Sequence, residues 1–486
     1  MSTSTPGRAR RIPPLVVPLL LAVLAGAAYG WRLSNQGWAN VYYAGIAQAG
    51  SHSWVAAFFG ALDANAVVAT DKPPLAFWPM SLSVWLLGLS PVAVLLPQLL
   101  ESVATVLLLY AAVRRLAGPW AAALAGVVLA VTPVFFVLAR YDDPDTLLTL
   151  WVVLAAWAAV RCRDDPRRGW LLLAAACFGA AFLPKWVAGL VAAPAFVLAL
   201  WPVLGAAGRS ARRRLLGAAA FVCVVAGGWW VAVLAVLGPE RRPHADASGG
   251  NLLKLIAGSN GFGRLPGSGG GQVSGQPGPF RLVTAPFADQ VGWFLPAALV
   301  LLVLLVLWRR AGAVDDRTWF GVVLFGGWTV LAAGLFSGMG GAMHPYYTTY
   351  LAPPVAAVVA LGTVVAARAG RWRLLAVVLI LTSGYAALTA YATGLPSGMV
   401  GVVAGTGLAG VVLLGVRRGI GSPGSGRTAR WPGVRRVLVA VLAVVACLAG
   451  PVATDVVTLR HTVNGPNPRA GIPSDPVATA QPPALL

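Results

Sequence analysis

Charge is scarce in this chain: Asp, Glu, Lys and Arg make up 10% of its 486 residues, and the mean hydropathy is +0.77. Such poverty excludes a soluble multidomain protein and indicates a polytopic membrane protein. Cysteine is almost missing as well. Cys162, Cys177, Cys223 and Cys447 have neither disulfide-framework nor metal-ligand spacing, so no disulfide scaffold, thiolate metal site or redox role is indicated. Lysine occurs three times and histidine four times.

What the chain has in abundance is apolar sequence, at 58%. Runs of about 17 to 25 residues, each long enough as a helix to cross a bilayer, recur along most of it. They must be helical, because lipid offers no partner to unpaired backbone groups. Thirteen spans are predicted: 13–31, 96–113, 119–139, 146–161, 170–184, 187–203, 213–237, 291–308, 319–336, 347–367, 373–392, 399–416 and 435–455. Residues 75–94 are also apolar, and a crossing there would reverse everything that follows.

Charge decides the matter. With 75–94 lying in the outer interface, 25 basic residues, among them Arg114, Arg115, Arg161, Arg163, Arg309 and Arg310, fall on the inner side against only Asp164, Asp165, Asp315 and Asp316. That balance equals the whole formal charge of +21. The opposite arrangement violates the positive-inside rule, so the N-terminus is expected to be cytoplasmic and the C-terminus extracytoplasmic, in a multi-pass protein of the cell membrane. A pI near 11.1 would otherwise suggest a nucleic-acid partner. These arginines instead sit in short loops beside anionic lipid, and no nucleic-acid partner is expected. The run from Pro13 to Tyr29 lacks a clear cleavage site and reads as a retained signal anchor.

The expected organisation is one transmembrane domain over 1–456 and a proline-rich extracytoplasmic tail over 457–486. The domain carries two long outer loops, 32–74 and 239–290. The first contains Tyr42, Tyr43, Trp54, Phe58 and Phe59, as expected for short interfacial helices. The second is rich in glycine, serine and proline between Gly267 and Gly278 and reads as a mobile loop.

On this topology every lysine, Lys72, Lys185 and Lys254, and every histidine is outside. Orientation needs only inner charge, so lysines at outer helix mouths point to phosphate binding at the headgroup layer, with snorkelling as the plain alternative. Asp71 and Lys72 are followed by Pro73 and Pro74, which stiffen the backbone and present both side chains in a defined direction. Arg140, Asp142, Asp143 and Asp145 form a second cluster. Close carboxylates can raise one pKa, bind a divalent cation through Asp142 and Asp143, or simply cap the helix that follows. His344, Tyr346 and Tyr347 open a later span from the same face, where an aromatic belt is the alternative. Asn260 and Arg264 in the second loop can bond a sugar or a phosphate.

These elements resemble a known family, the bacterial GT-C glycosyltransferases that include protein mannosyltransferases and the lipid A aminoarabinose transferase, most of all its actinobacterial branch. The resemblance rests on Tyr42-Tyr43, Ser53-Trp54, Phe58-Phe59-Gly60, Asp71-Lys72-Pro73-Pro74-Leu75, Leu96-Pro97-Gln98, Arg114-Arg115 and Asp142-Asp143-Pro144-Asp145. Further on come Phe182-Leu183-Pro184-Lys185, Trp229-Trp230, Asn260 to Arg264 and His344-Pro345-Tyr346-Tyr347. It covers roughly residues 30 to 360, and Asp-Lys-Pro-Pro is its most specific piece.

The resemblance implies an all-α GT-C bundle of about 13 transmembrane helices. It also implies sugar transfer, usually inverting, from a polyprenyl-phosphate donor to a hydroxyl of a glycan, lipid or protein. A first-loop carboxylate would be the base, Asp71 before Asp142 or Asp143. Lys72, Arg140, Asp145 and Lys185 would contact phosphate or substrate with Tyr42, Tyr43, Asn260, Arg264, His344, Tyr346 and Tyr347. Two departures stand out: Ala39 and Asn40 occupy places where many relatives carry an acid, and Asp142-Asp143 stands where close relatives tend to have Asn-Asn. A transporter or lipid flippase is the rival from another class, and a noncatalytic member of the same fold is a third reading.

Overall fold

The computed structural model describes residues 13, 15–206, 208–238, 241, 243–245, 251–252, 254–261, 275–341, 343–415 and 432–471. It is an all-α bundle, and each of the thirteen predicted segments contains a helix. In chain order these are α1 (Val16–Gly30), then α2 (Val41–His52), α3 (Trp54–Phe59) and α4 (Trp78–Leu87) in the first loop. There follow α5 (Pro91–Ala117), α6 (Pro119–Ala130), α7 (Pro133–Leu138), α8 (Pro144–Asp164), α9 (Arg168–Lys185), α10 (Ala193–Gly205) and α11 (Arg209–Leu237). The remainder are α12 (Leu295–Arg310), α13 (Asp316–Gly321), α14 (Gly327–Gly338), α15 (Ala352–Arg368), α16 (Trp372–Ala392), α17 (Ser397–Gly415) and α18 (Pro432–Thr458). Among the described residues, seven helical stretches are long and apolar enough to cross a membrane.

Residues 75–94 do not form one span. They hold the ten-residue α4 and the start of α5. A helix that short rises about 15 Å, half of the hydrocarbon thickness. Its exposed Trp85, Leu86 and Leu87, with Trp54 of α3, suit an interfacial position.

Prolines break several predicted spans. The stretch 119–139 is two helices, because Pro133 lacks the N–H that would continue α6 and instead starts α7. The stretch 347–367 opens with the 3-10 turn Pro345–Leu351 before α15, and 291–308 follows the π turn Ala288–Gly292. Elsewhere backbones meet directly. A Cβ on Gly179 of α9 would lie 2.4 Å from the Cys223 carbonyl of α11, and one on Gly227 would lie 2.7 Å from the Gly179 carbonyl. Only glycine allows that crossing, which is how helices pack where lipid removes the hydrophobic drive between them.

The charges separate along α8. Asp143 and Asp145 stand at its N-terminus, while Asp164 at its far end pairs with Arg115 at 3.1 Å, Arg163 at 3.3 Å and Arg317 at 3.3 Å. Twenty-one helical residues rise roughly 30 Å, so the arginine cluster and the carboxylates at the α8 N-terminus lie a bilayer's thickness apart.

Candidate active site

The first loop supplies Asp71 and Lys72. Pro73 and Pro74 lead into a 3-10 turn, and the Trp186 indole N–H donates to the Asp71 carbonyl at 2.9 Å, which fixes the backbone at that point. Lys72 Nζ donates to Asp71 Oδ2 at 2.5 Å and to Asn260 Oδ1 at 3.0 Å. The Asn260 amide is itself held by its bond to the Leu255 carbonyl at 3.1 Å. The second long loop therefore returns to the first, and Val68–Ala69 pairs in parallel with His244–Ala245 beside it. Arg264 lies outside the described residues.

The N-terminus of α8 supplies the second group. Asp143 caps this helix, its Oδ1 accepting the Asp145 N–H at 2.8 Å. Asp142 is fully buried and faces elsewhere: its Oδ1 accepts the Asn40 N–H at 2.8 Å, at the start of α2. A carboxylate enclosed there and bound to main chain does not suit the expected role of base. Among the described residues no three His, Cys, Asp or Glu side chains gather as a metal-binding set, and Asp142 and Asp143 spend an oxygen each on main-chain N–H groups. The expected phosphate contact from Arg140 also needs correction. Its buried guanidinium donates to the carbonyls of Tyr29 at 2.5 Å and Ala28 at 3.3 Å, tying the α7–α8 turn to the end of α1.

The third group comes from α9 and the turn before α15. Lys185 Nζ is paired with Asp145, both side chains being almost wholly buried. It lies 3.9 Å from the Tyr347 ring centre and 5.0 Å from that of Tyr346, a cation over two aromatic faces. His344 stacks on Tyr346 with ring centres 5.5 Å apart. Lys185 is delivered by a strained turn. The next residue, Trp186, has φ +51° and is completely buried. A non-glycine residue in such a conformation costs about 1–3 kcal/mol and is held only by its surroundings. Here those are the indole bond to Asp71 and the packing of Trp230 and Phe182. Sequence reasoning missed Trp186. Its place after Pro184-Lys185 was visible, but its backbone angle and partner were not.

Tyr43 joins the groups. Its phenol is held well above its ordinary value by burial first and then by the nearness of Asp143, Asp71, Tyr347 and Asp145, so it remains a neutral donor. Tyr42 is more exposed and packs edge-on against Tyr43 at 5.7 Å. Beside them lies a cavity of about 270 Å³ with Asp145, Lys185, Asn260 and Tyr347 at its polar part and Leu335 and Phe336 among its apolar walls. A larger hollow of about 670 Å³ between α2, α3 and α4 is lined by none of these charged residues, although His52 and Trp54 reach it.

Burial pushes the Asp143 carboxyl up to about 8, with Asp145 adding to the rise and Lys185 opposing it. At neutral pH the folded chain keeps this proton and the unfolded chain has lost it. Its stabilising contribution is therefore full below about pH 4, shrinks as pH rises, and is gone above about pH 8. The unfolding temperature in detergent is expected to fall between about pH 4 and pH 8, and Asp143→Asn, which still caps the helix, to flatten that fall. An unchanged slope in the variant would assign the effect to another group.

Comparison with known proteins bears on this arrangement. Over 93% of the chain and 78% of the other, it superposes on the crystal structure of ArnT from Cupriavidus metallidurans bound to undecaprenyl phosphate, with a TM-score of 0.60 at 18% identity. The fold is that of the GT-C glycosyltransferases. The same GT-C frame gives a TM-score of 0.53 with the arabinosyltransferase EmbB from Mycobacterium smegmatis, at 16% identity over 93% of this chain and 42% of that one. The family model described as dolichyl-phosphate-mannose-protein mannosyltransferase matches residues 71–230, a stretch that contains Asp71, Lys72, Asp143, Asp145 and Lys185. The putative mannosyltransferase YycA of Bacillus subtilis is 25% identical over 72% of this chain. The chain spans 63% of that relative's length, and no actinobacterial branch is singled out.

Proposed function

We propose that this GT-C protein transfers a hexosyl or pentosyl group, with inversion, from a polyprenyl-phosphate carrier to a hydroxyl of an envelope glycan, lipid or protein on the extracytoplasmic face. The observation that carries the proposal is the convergence of Tyr43, Asp71, Lys72, Asp145 and Lys185 beside a cavity that is polar at one part and apolar at another. An isoprenoid phosphate has that same division. The extracytoplasmic placement rests on the arginine cluster at the opposite end of α8.

Asp71 is the base in this reading. Its side chain keeps 36% of its surface exposed, so an acceptor hydroxyl can reach it, whereas Asp143 holds its proton at neutral pH and Asp142 is enclosed. The acceptor oxygen attacks the anomeric carbon, its proton passes to Asp71, and the bond from that carbon to the phosphate oxygen breaks on the opposite side. Lys72 and Lys185 meet the departing phosphate. Each is paired with a carboxylate in the free protein, and each exchanges part of that pairing for a phosphate oxygen as charge develops. Tyr43 and Tyr347 donate to sugar or phosphate, and Asn260 orients Lys72.

The test is reconstitution in vesicles with undecaprenyl-phosphate-linked sugars and an envelope extract as acceptor. Release of undecaprenyl phosphate that depends on the acceptor is expected. Movement of the labelled lipid between leaflets with no sugar released would overturn the proposal in favour of a flippase.

A further inference from the structure

The segment that follows α18 returns to the elements behind the reaction cluster. Gln36 Nε2 donates to the Val463 carbonyl at 2.9 Å, the Gly465 N–H donates to the Ala39 carbonyl at 3.1 Å, and the Tyr141 hydroxyl donates to the Gly465 carbonyl. A few residues later the segment is fastened again. Arg469 pairs with Asp289 at 2.9 Å, Ala470 exchanges two hydrogen bonds with the Gln290 side chain at 3.0 and 3.1 Å, and the Gly471 N–H donates to Thr458 Oγ1 at 2.8 Å. Gly465 has φ +91°, a conformation in which it lends its N–H and its carbonyl to two different elements.

What these bonds hold matters more than their number. Ala39 has φ +54°, costly for alanine, and precedes Asn40, the N-cap of α2, whose side chain accepts the Tyr42 N–H at 3.1 Å. The Asn40 N–H donates to Asp142, and Tyr141 is the neighbour of Asp142. Three hydrogen bonds therefore close a ring that runs from Gly465 to Ala39 and Asn40, across to Asp142 and Tyr141, and back to Gly465. Tyr43 lies in the first turn of the helix that this ring starts, and its N–H donates to the Asn40 carbonyl at 3.0 Å.

We propose that Asp142, Tyr141 and the C-terminal strap at Gly465 are positioning elements, which fix the start of α2 and so place the Tyr43 phenol against Asp71 and Asp143. The strap thus completes the site from a distance of more than 300 residues in sequence. None of the three touches substrate. The effect on transfer rests on the glycosyltransferase reading, whereas the effect on α2 does not.

The experiment compares full-length wild type with Tyr141→Phe, which removes one hydroxyl and keeps the buried phenyl group. Losing one hydrogen bond of the three is expected to raise amide exchange at Asn40–Ala44 by about tenfold, with the far ends of α5 and α8 unchanged. Undecaprenyl phosphate binding should stay within about twofold, while the turnover of sugar transfer falls by about tenfold at unchanged donor KM. Gln36→Met, acting on the strap from the first-loop side, should do the same and replaces Tyr141→Phe should that variant not fold. Unchanged exchange at Asn40–Ala44 in both variants would overturn the clamp, as would faster exchange with wild-type turnover. Faster exchange in a protein whose wild type transfers no sugar would uphold the clamp and dismiss the glycosyltransferase reading instead.

Discussion

Asp71→Asn is expected to lower sugar transfer by a factor of about 10²–10⁴, the usual contribution of a general base, while leaving expression and undecaprenyl phosphate binding intact. The separation follows from how the residue is built in. The Asp71 backbone is held by the Trp186 indole, and its side chain, one-third exposed, pairs with Lys72 and accepts from the Thr70 hydroxyl. Asparagine fills the same volume and keeps an oxygen for Lys72, but it carries no charge and cannot take a proton. Reconstituted vesicles supplied with donor and acceptor make the measurement. Transfer at the wild-type rate would remove Asp71 from the chemistry and return attention to the α8 carboxylates.

Lys185→Met is expected to fail for a different reason. The Asp145 side chain is 3% exposed and Lys185 is 9% exposed, so the methionine leaves a carboxylate buried beside Asp143 without its counter-ion. Breaking one side of such a pair costs about 3–5 kcal/mol, and a large drop in unfolding temperature should appear in detergent. Adding Asp145→Asn removes the stranded charge and should recover most of the stability. It should not recover transfer, because the ammonium that lies over the Tyr347 ring, and that is proposed to meet the phosphate, is still gone. Recovery of both would show that Lys185 serves the fold alone. No loss of stability in the single variant would show that Asp145 finds another partner.

Parts of this site could be read from the chain because they obey local rules. Asp71-Lys72-Pro73-Pro74 is a contiguous stiff element, and a cluster of acids before a helix marks its own position. The sequence offers Asp142 and Asp143 as alternative bases and Asp145 as a phosphate contact, without separating where each side chain goes. The backbone passes from extended at Asp143 into helix at Pro144, so Asp143 caps α8, Asp145 meets Lys185 beside the cavity, and Asp142 is directed to Asn40. Three acids within four residues have three destinations, and nothing in their order reveals which. Arg140 shows the same limit. Its charge suggested a phosphate, but two carbonyls at the end of α1 reach it first. The broken spans at Pro133 and Pro345 were legible in principle, since proline announces its missing N–H wherever it stands.

By itself the sequence determined that the chain is a helical membrane bundle and which ends of its helices carry arginine. Both follow from properties summed over many residues, hydropathy across a span and charge across a loop, which no single contact can reverse. Only the tertiary structure decided that Trp186 holds Asp71, that Asn260 reaches back to Lys72, and that Gly465 closes a ring with Ala39 and Tyr141. Each of those rests on one or two hydrogen bonds between residues more than a hundred positions apart. Its existence depends on where whole helices come to rest, and no local pattern in the chain encodes that.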